Sequence, residues 1–289
     1  MVTEFAHAKV NLFLDVISRR RDGFHNIKTV MHSVSLADVI EVSAEPSEES
    51  SFELEILGAP TLPTDGNLAI TAARCFLEAA KLTARVKIRL EKNIPLSAGL
   101  AGGSSDAAAV LRAMDKIFGV PLTSDELVGV ASRIGSDVPY CLMGGTALCE
   151  GRGELITPLH APRPMIFVIA IACESVSTPE AYSALDRLYS DFDGSVTRGG
   201  EAAYRALSDF LLGAPLPEKL YNIFEDAVLP ECGGARDIKK LMLAEGAHTA
   251  LMSGSGPSVF GVFDTEEMAE SVKNKLLALG YRAYTAHSV

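Results

Sequence analysis

Cysteine is scarce in this 289-residue chain and poorly spaced for bonding. There are five, at positions 75, 141, 149, 173 and 232, with no C-x-x-C pair among them. An odd count without that spacing argues against a disulfide framework or a zinc site, and a reducing compartment is expected. Long apolar runs are missing too. The longest, Met165 to Cys173, is about half of what a membrane helix needs. The opening stretch, MVTEFAHAKVNLFLD, lacks the basic-then-apolar pattern of an export signal, so a cytoplasmic protein with no membrane partner is expected. Basic residues are outnumbered, 26 to 37, for a net charge of −11. A nucleic-acid partner held by general phosphate attraction is therefore not expected, although a local basic pocket for a small anion is compatible. The acidity itself serves solubility. No internal repeat or low-complexity tract is present.

What is present is an ordinary globular composition, 48% hydrophobic and 22% charged, which excludes disorder as the main state. The length suits one large domain or two ordinary ones. Residues 8–17 alternate, with Val10, Leu12, Leu14 and Val16 on one face and Lys9, Asn11, Phe13 and Asp15 on the other. That period of two predicts a strand and points Lys9 and Asn11 the same way. Further strand sequence runs from Ile27 to Val42, followed by a polar loop at 45–51 and a proline-bearing loop at 58–66. A helix is predicted over 67–82, a half-exposed strand around Val86, Ile88 and Leu90, and helices over 106–118 and 124–134, the last capped by Ser124 and stopped by Gly135. The segment 160–164 resembles a linker. Beyond it come a buried strand over 165–173, helices interrupted by a loop at 191–200, a strand–glycine loop–strand over 249–262, a helix over 265–279 and a last strand over 281–286. Both halves are α+β.

Four constellations carry chemistry. The first is Pro95-Leu96-Ser97-Ala98-Gly99-Leu100-Ala101-Gly102-Gly103-Ser104-Ser105, between a strand and a helix. Unpaired N–H groups at a helix start suit phosphate, and glycines let the backbone come close. A tight connection with ordinary serine caps fits the same residues. A Walker A loop needs a lysine that is absent here, and a Rossmann loop needs G-x-G-x-x-G rather than this G-x-x-G-G-S-S. The second is Gly135-Ser136-Asp137-Val138-Pro139, expected just past a helix and before a strand-like run. Asp137 is either a turn former or a base for a substrate hydroxyl. The third is Lys9, an ammonium in an apolar strand. It either faces water from an edge or is paired, and Asp137 is a suitable partner. The fourth is Ser253-Gly254-Ser255-Gly256-Pro257-Ser258, a hairpin that could also pack on a ligand or on the first glycine loop. In addition, Phe24 and His25 offer an aromatic ring beside a hydrogen-bonding ring, as a base-reading pair would. The remaining histidines have no metal-ligand spacing.

The order of these segments resembles the GHMP kinases, the superfamily of galactokinase, homoserine kinase, mevalonate kinase and phosphomevalonate kinase. Its three motifs match Ala8-Lys9-Val10-Asn11, Pro95 to Ser105, and Ser253 to Ser258. Within the superfamily, the chain is most similar to the kinases that act on a cytidylylated methylerythritol in the non-mevalonate isoprenoid pathway. Arg21 to His25, Ile94 to Asp106, Gly135 to Pro139, Gly144 to Ala147, Ser177 to Pro179 and Tyr221 to Glu225 carry that likeness. It spans nearly the whole chain. It implies an α+β two-domain GHMP kinase fold, with a ribosomal protein S5 domain 2-like N-terminal domain over 1–160 and a ferredoxin-like C-terminal domain over 161–289.

The resemblance also implies roles. Asp137 would be the general base and Lys9 its catalytic partner. Pro95 to Ser105 would wrap the ATP phosphates, and Asn67 and Lys92 would meet the nucleoside end of ATP. His25 would read the cytosine edge, Phe24 and Tyr182 would sandwich the base, and Asn11 would position the substrate near Lys9. Magnesium is expected with ATP, and Ser105 is a guess for its protein ligand. The partners are small molecules, the substrate and ATP, and both monomer and homodimer stay open. Three positions depart from the family pattern: Phe24 replaces a usual tyrosine, and Ser97 and Ala101 replace glycines. The phosphate cradle is expected to survive if the last two do not need positive φ. Other small-alcohol kinases, a ligand-binding regulator that has lost catalysis, and a nucleic-acid module remain as alternatives. The presence of Lys9 and Asp137 speaks against the second, and the negative charge against the third.

Overall fold

The computed structural model describes residues 1–59, 61–119, 121–161, 163–172, 176–189 and 198–289. Along the chain run β1 (Val2–Arg19), β2 (His25–Pro46), β3 (Ser51–Leu57), α1 (Leu68–Ala80), β4 (Ala84–Glu91), α2 (Gly102–Phe118), α3 (Ser124–Ile134) and α4 (Val138–Met143). Then follow β5 (Thr146–Gly151), β6 (Leu155–Leu159), β7 (Ile166–Ile171), α5 (Thr178–Leu188), α6 (Arg198–Leu211), β8 (Tyr221–Asn222), α7 (Phe224–Val228), α8 (Gly233–Ala244), β9 (Thr249–Met252), β10 (Ser258–Phe263), α9 (Glu266–Ala278) and β11 (Arg282–His287). Two compact units result. The first comprises Met1–Ala8, Ala37–Pro95 and Ala101–Gly144, the second Lys9–Leu36, Leu96–Leu100 and Gly145–Val289.

In the first unit the C-terminal half of β2 pairs antiparallel with β4, from Val39↔Glu91 to Pro46↔Ala84, and β4 pairs parallel with β3. The sheet is therefore mixed. Along β4, buried Ala84, Val86, Ile88 and Leu90 alternate with exposed Arg85, Lys87, Arg89 and Glu91, as one buried face demands. Helices α1 and α2 pack on each other. Ala72, Ala73 and Phe76 share a core with Ala107, Val110, Leu111 and Met114. Truncating a fully buried ring such as Phe76 costs about 3–5 kcal/mol.

In the second unit the N-terminal half of β2 pairs antiparallel with β5, from Ile27↔Gly151 to His32↔Thr146, and β5 pairs with β6. A parallel pairing joins β1 to β8 at Phe13↔Tyr221 and Leu14↔Asn222. A separate four-stranded sheet has the order β11-β7-β10-β9, antiparallel throughout. Helices α8 and α9 pack on it, and the chain order β7-α8-β9-β10-α9-β11 is the split βαβ arrangement of ferredoxin-like folds.

Several local expectations change. Helix α2 starts at Gly102, not Asp106, because the small residues of its first turn carry no apolar stripe to announce it. The cap of α3 is Thr123 rather than Ser124, with a full capping box to Glu126. Residues 138–143 form helix α4, not a strand; a six-residue apolar run does not distinguish the two by period. Strand β3 had no expectation at all. The buried strand after the linker is Ile166–Ile171, while Cys173 and positions 191–197 of the expected loop lie outside the described residues. Among the described residues no helix is long and apolar enough to cross a membrane.

Candidate active site

The second unit collects one group of expected residues around Lys9. Strand β1 buries this side chain, with the residue only 4% exposed, so it does not face water from an edge. Its ammonium donates to Asn11 Oδ1 at 2.7 Å and to the Gly99 carbonyl oxygen at 2.9 Å. The period of β1 makes the first contact, since residues two apart share a face. Asn11 is held in turn. Its Nδ2 donates to Thr29 Oγ1 at 2.8 Å, and its Oδ1 also accepts from the Gly254 amide at 2.9 Å. The glycine-rich turn between β9 and β10 packs against residues 96–100. Ser253 Oγ donates to the Gly99 carbonyl at 3.1 Å, and Ser258 Oγ to that of Ala98 at 2.5 Å. A Cβ on Gly99 would lie 2.2 Å from the Ser253 carbonyl oxygen, and the residue sits at φ +74. Only glycine fits there. Asn222 Nδ2 braces the same turn at the Met252 and Gly254 carbonyls.

The first unit holds the start of α2. The first intrahelical bond runs from the Ser105 amide to the Ala101 carbonyl at 2.9 Å, so the amides of Gly102, Gly103 and Ser104 have no acceptor within the helix. Three N–H groups at the positive end of a 17-residue helix suit a polyphosphate. A Cβ on Gly102 would come within 3.1 Å of Ile94 Cγ2 and 3.4 Å of Lys92 Nζ. Ser97 and Ala101, which replace glycines, both adopt positive φ, +52 and +58. The condition for an unperturbed cradle is therefore not met, and the backbone carries the strain of a left-handed conformation at both. Ser105 is buried, and its hydroxyl donates to the His7 carbonyl at 2.6 Å. Cys141 Sγ lies 3.4 Å from Ser105 Oγ, so a cation could use only a remaining lone pair. Among the described residues no cluster of three or more His, Cys, Asp or Glu could hold a metal. A magnesium ion carried mainly by nucleotide phosphates needs just one or two protein ligands, which is compatible with these residues.

Lys92 follows β4 and is fully enclosed. Its ammonium donates to Asp38 Oδ2 at 2.5 Å and to Asp106 Oδ2 at 2.7 Å. Burial pulls the Lys92 pKa down, but the two carboxylates outweigh it and hold the group above its ordinary value. Burial, with the like charge of Asp38, pushes the Asp106 carboxyl up, and the Lys92 ammonium opposes this. Asn67 caps α1, with its Oδ1 accepting from the Ala69 amide at 2.9 Å. Asp137 stands at the N-cap position of α4, where its carboxylate makes no capping bond.

The expected base readers lie in the second unit. His25 and Tyr182 stack with centroids 4.7 Å apart and planes at 19°. Tyr182 also meets the Phe224 ring edge-on at 4.8 Å. His25 Nε2 lies 2.8 Å from Asp186 Oδ1. Phe24 is 53% exposed, with the Arg152 guanidinium over its ring at 5.1 Å. The structure thus brings His25 and Tyr182 together and leaves the Phe24 ring outside that stack. Thr29, Asp38, Asp106 and Asp186 were missed as partners of expected residues. Asp186 had a detectable signal, lying four residues after Tyr182 on one helix face. Asp106 stood inside the quoted motif. Asp38 had none.

Residues 67–145 match the family model for the GHMP kinases N terminal domain, and residues 206–282 match that for GHMP kinases C terminal. A 4-diphosphocytidyl-2-C-methyl-D-erythritol kinase of Caldicellulosiruptor saccharolyticus is 40% identical over 276 residues, 94% of this chain and 91% of that protein. One from Clostridium tetani is 37% identical over 98% of this chain and 99% of its own. The crystal structure of a 4-(cytidine 5'-diphospho)-2C-methyl-D-erythritol kinase superimposes with a TM-score of 0.80 at 34% identity, covering 99% of both chains. A homoserine kinase from Cytophaga hutchinsonii, at 21% identity and a TM-score of 0.72, shares the fold. With its two-unit α+β architecture and these whole-length relatives, the chain belongs to the GHMP kinases and, within them, to the 4-diphosphocytidyl-2-C-methyl-D-erythritol kinase family.

Proposed function

We propose that this protein is an ATP-dependent kinase that phosphorylates the 2-hydroxyl of 4-diphosphocytidyl-2-C-methyl-D-erythritol, in the non-mevalonate route to isopentenyl diphosphate. The observation that carries it is the whole-length likeness to kinases of that name, 40% identity over 94% of the chain in one case. Asp137 takes the proton of the substrate hydroxyl, and Lys9 keeps Asp137 ionised and offsets negative charge as the phosphoryl group moves. Asn11 holds the Lys9 ammonium and positions the substrate beside it. Pro95 to Ser105 bind the ATP phosphates, with Asn67 toward the nucleoside end, while the Lys92 ammonium, already taken up by Asp38 and Asp106, braces the loop from behind instead of meeting the nucleoside. His25 reads the cytosine edge, and Phe24 and Tyr182 flank the base. Magnesium, when bound, neutralises phosphate charge, and the Ser105 hydroxyl oxygen is the group that would support it. Residues 1–160 form the ATP-binding half and 161–289 the C-terminal half, a boundary that leaves both matched family segments whole.

The test is ADP release with magnesium and four alcohols: the cytidylylated methylerythritol, homoserine, mevalonate and galactose. Turnover on the first alone is expected. Turnover on another alcohol instead would keep a kinase and discard the base-reading roles of His25, Phe24 and Tyr182.

A further inference from the structure

Asp38, on β2, is completely buried, yet it lies outside every motif that points to the site. Both of its oxygens are used. Oδ1 accepts from two consecutive backbone amides, Asn93 at 2.5 Å and Ile94 at 2.8 Å, and Oδ2 accepts from Lys92 Nζ at 2.5 Å. Lys92 passes the connection to Asp106 in the second turn of α2 at 2.7 Å. The segment fixed by Asp38 therefore runs from the end of β4 to the approach of the glycine loop, and Ile94 and Lys92 are the groups that crowd Gly102, the first residue of α2. Two carboxylates and one ammonium buried together are an expensive way to fill a core, and apolar residues of similar volume do it as well or better. What they add is direction: each bond is charge-assisted and geometrically specific.

We propose that Asp38 is a positioning residue for the nucleotide. It holds Lys92–Ile94 in place and, through the Lys92 ammonium and Asp106, sets where α2 begins, so that the amides of Gly102, Gly103 and Ser104 are already aimed when phosphate arrives. The inference rests on the reading of this loop as the ATP-phosphate site. Preorganised donors of this kind lose their value when displaced by even about an ångström.

The two aspartates are not equivalent, and that makes the idea testable. An asparagine at 38 has no good orientation. With its oxygen toward the two amides, its NH₂ faces the Lys92 donors; turned round, it faces the amide donors. An asparagine at 106 keeps an oxygen for Lys92 and places its NH₂ where Oδ1 now has no partner. Magnesium–ATP binding by calorimetry, with heat denaturation alongside, separates the roles for Asp38→Asn, Asp106→Asn and Glu4→Gln. Glu4 is the control, because it ties Arg112 and Lys116 of the same helix at 3.0 and 2.6 Å, away from its start. Asp38→Asn is expected to weaken ATP binding about ten-fold or more, with Asp106→Asn under about three-fold. Glu4→Gln is expected to lower Tm without a comparable loss of affinity.

Unchanged affinity in Asp38→Asn, or losses that merely track Tm across the three variants, overturns the proposal. An unaltered protein that binds no ATP sinks both this inference and the kinase reading, whereas binding that is indifferent to Asp38 sinks only the inference. If Asp38→Asn does not fold, hydrogen exchange in the unaltered protein decides. The Asn93 and Ile94 amides should be protected, and exchange at unstructured-peptide rates overturns the proposal.

Discussion

Two buried lysines, one in each unit, are held in opposite ways. Lys9 is lodged between neutral oxygens, the Asn11 side chain and the Gly99 carbonyl. Lys92 is clamped between the carboxylates of Asp38 and Asp106. Dipoles orient an ammonium without cancelling its charge, which is what the role proposed for Lys9 beside Asp137 requires. Carboxylates cancel it, and the Lys92 ammonium becomes a bolt between β2, the end of β4 and α2. Burial alone does not make a lysine catalytic; the charge state of its partners decides whether it acts or braces.

The pair Lys9 and Asp137 and the clamp at Lys92 should respond to substitution in different observables. Asp137→Asn should lower kcat by about 10²–10⁴-fold, and Lys9→Met by about 10²–10³-fold, both with little change in unfolding by urea. Near-normal turnover in either variant would take that residue out of the chemistry. Lys92→Met leaves two carboxylates buried without their cation and should cost about 3–5 kcal/mol of stability. A urea midpoint within error of the unaltered protein would show that the clamp carries no weight.

A third buried titratable group avoids charge altogether. His32 is 2% exposed, with ring nitrogens 2.8 Å from both Thr146 Oγ1 and Ser288 Oγ. Burial drives its pKa down to about 4 from 6.5. The unfolded chain therefore takes up a proton between these values while the folded chain does not. Stability is fully present above about pH 6.5 and is lost as pH falls toward 4, by about 3 kcal/mol in all. Urea titrations at pH 5 and 7 should show that slope, and His32→Gln should remove this share of it; an unchanged slope would assign the effect elsewhere. The smallest expected effect is at Ala101, at φ +58. Ala101→Gly relieves a left-handed alanine at the cost of a more flexible unfolded chain, for a net gain of about 0.5–1 kcal/mol. A lowered Tm would mean that this conformation is not strained.

Local features were legible from the sequence because each repeats within a few residues. The alternation of 8–17 correctly placed Lys9 and Asn11 on one face, and the cap and stop signals around 124–134 located α3, with Gly135 as its end and the cap one residue earlier than expected. The start of α2 was not legible, since Gly102 to Ser105 present no apolar face, and α4 was too short for its period to speak. The ferredoxin-like sheet could be named only through the resemblance; a strand's neighbours are not encoded in its own pattern.

The chain's own pattern was enough to show which chemical groups are available: a lysine and an asparagine in phase on one strand, a glycine-rich loop opening a helix, an aspartate just past a helix end. These were legible because side-chain direction and backbone freedom are set by near neighbours. What each group is bonded to follows from the folded arrangement. Lys92 meets Asp38 across 54 positions and His25 meets Asp186 across 161, and separations of that length leave no periodic trace in the chain. Those pairings come from how strands and helices bury their apolar faces. They set one lysine between dipoles and the other between aspartates.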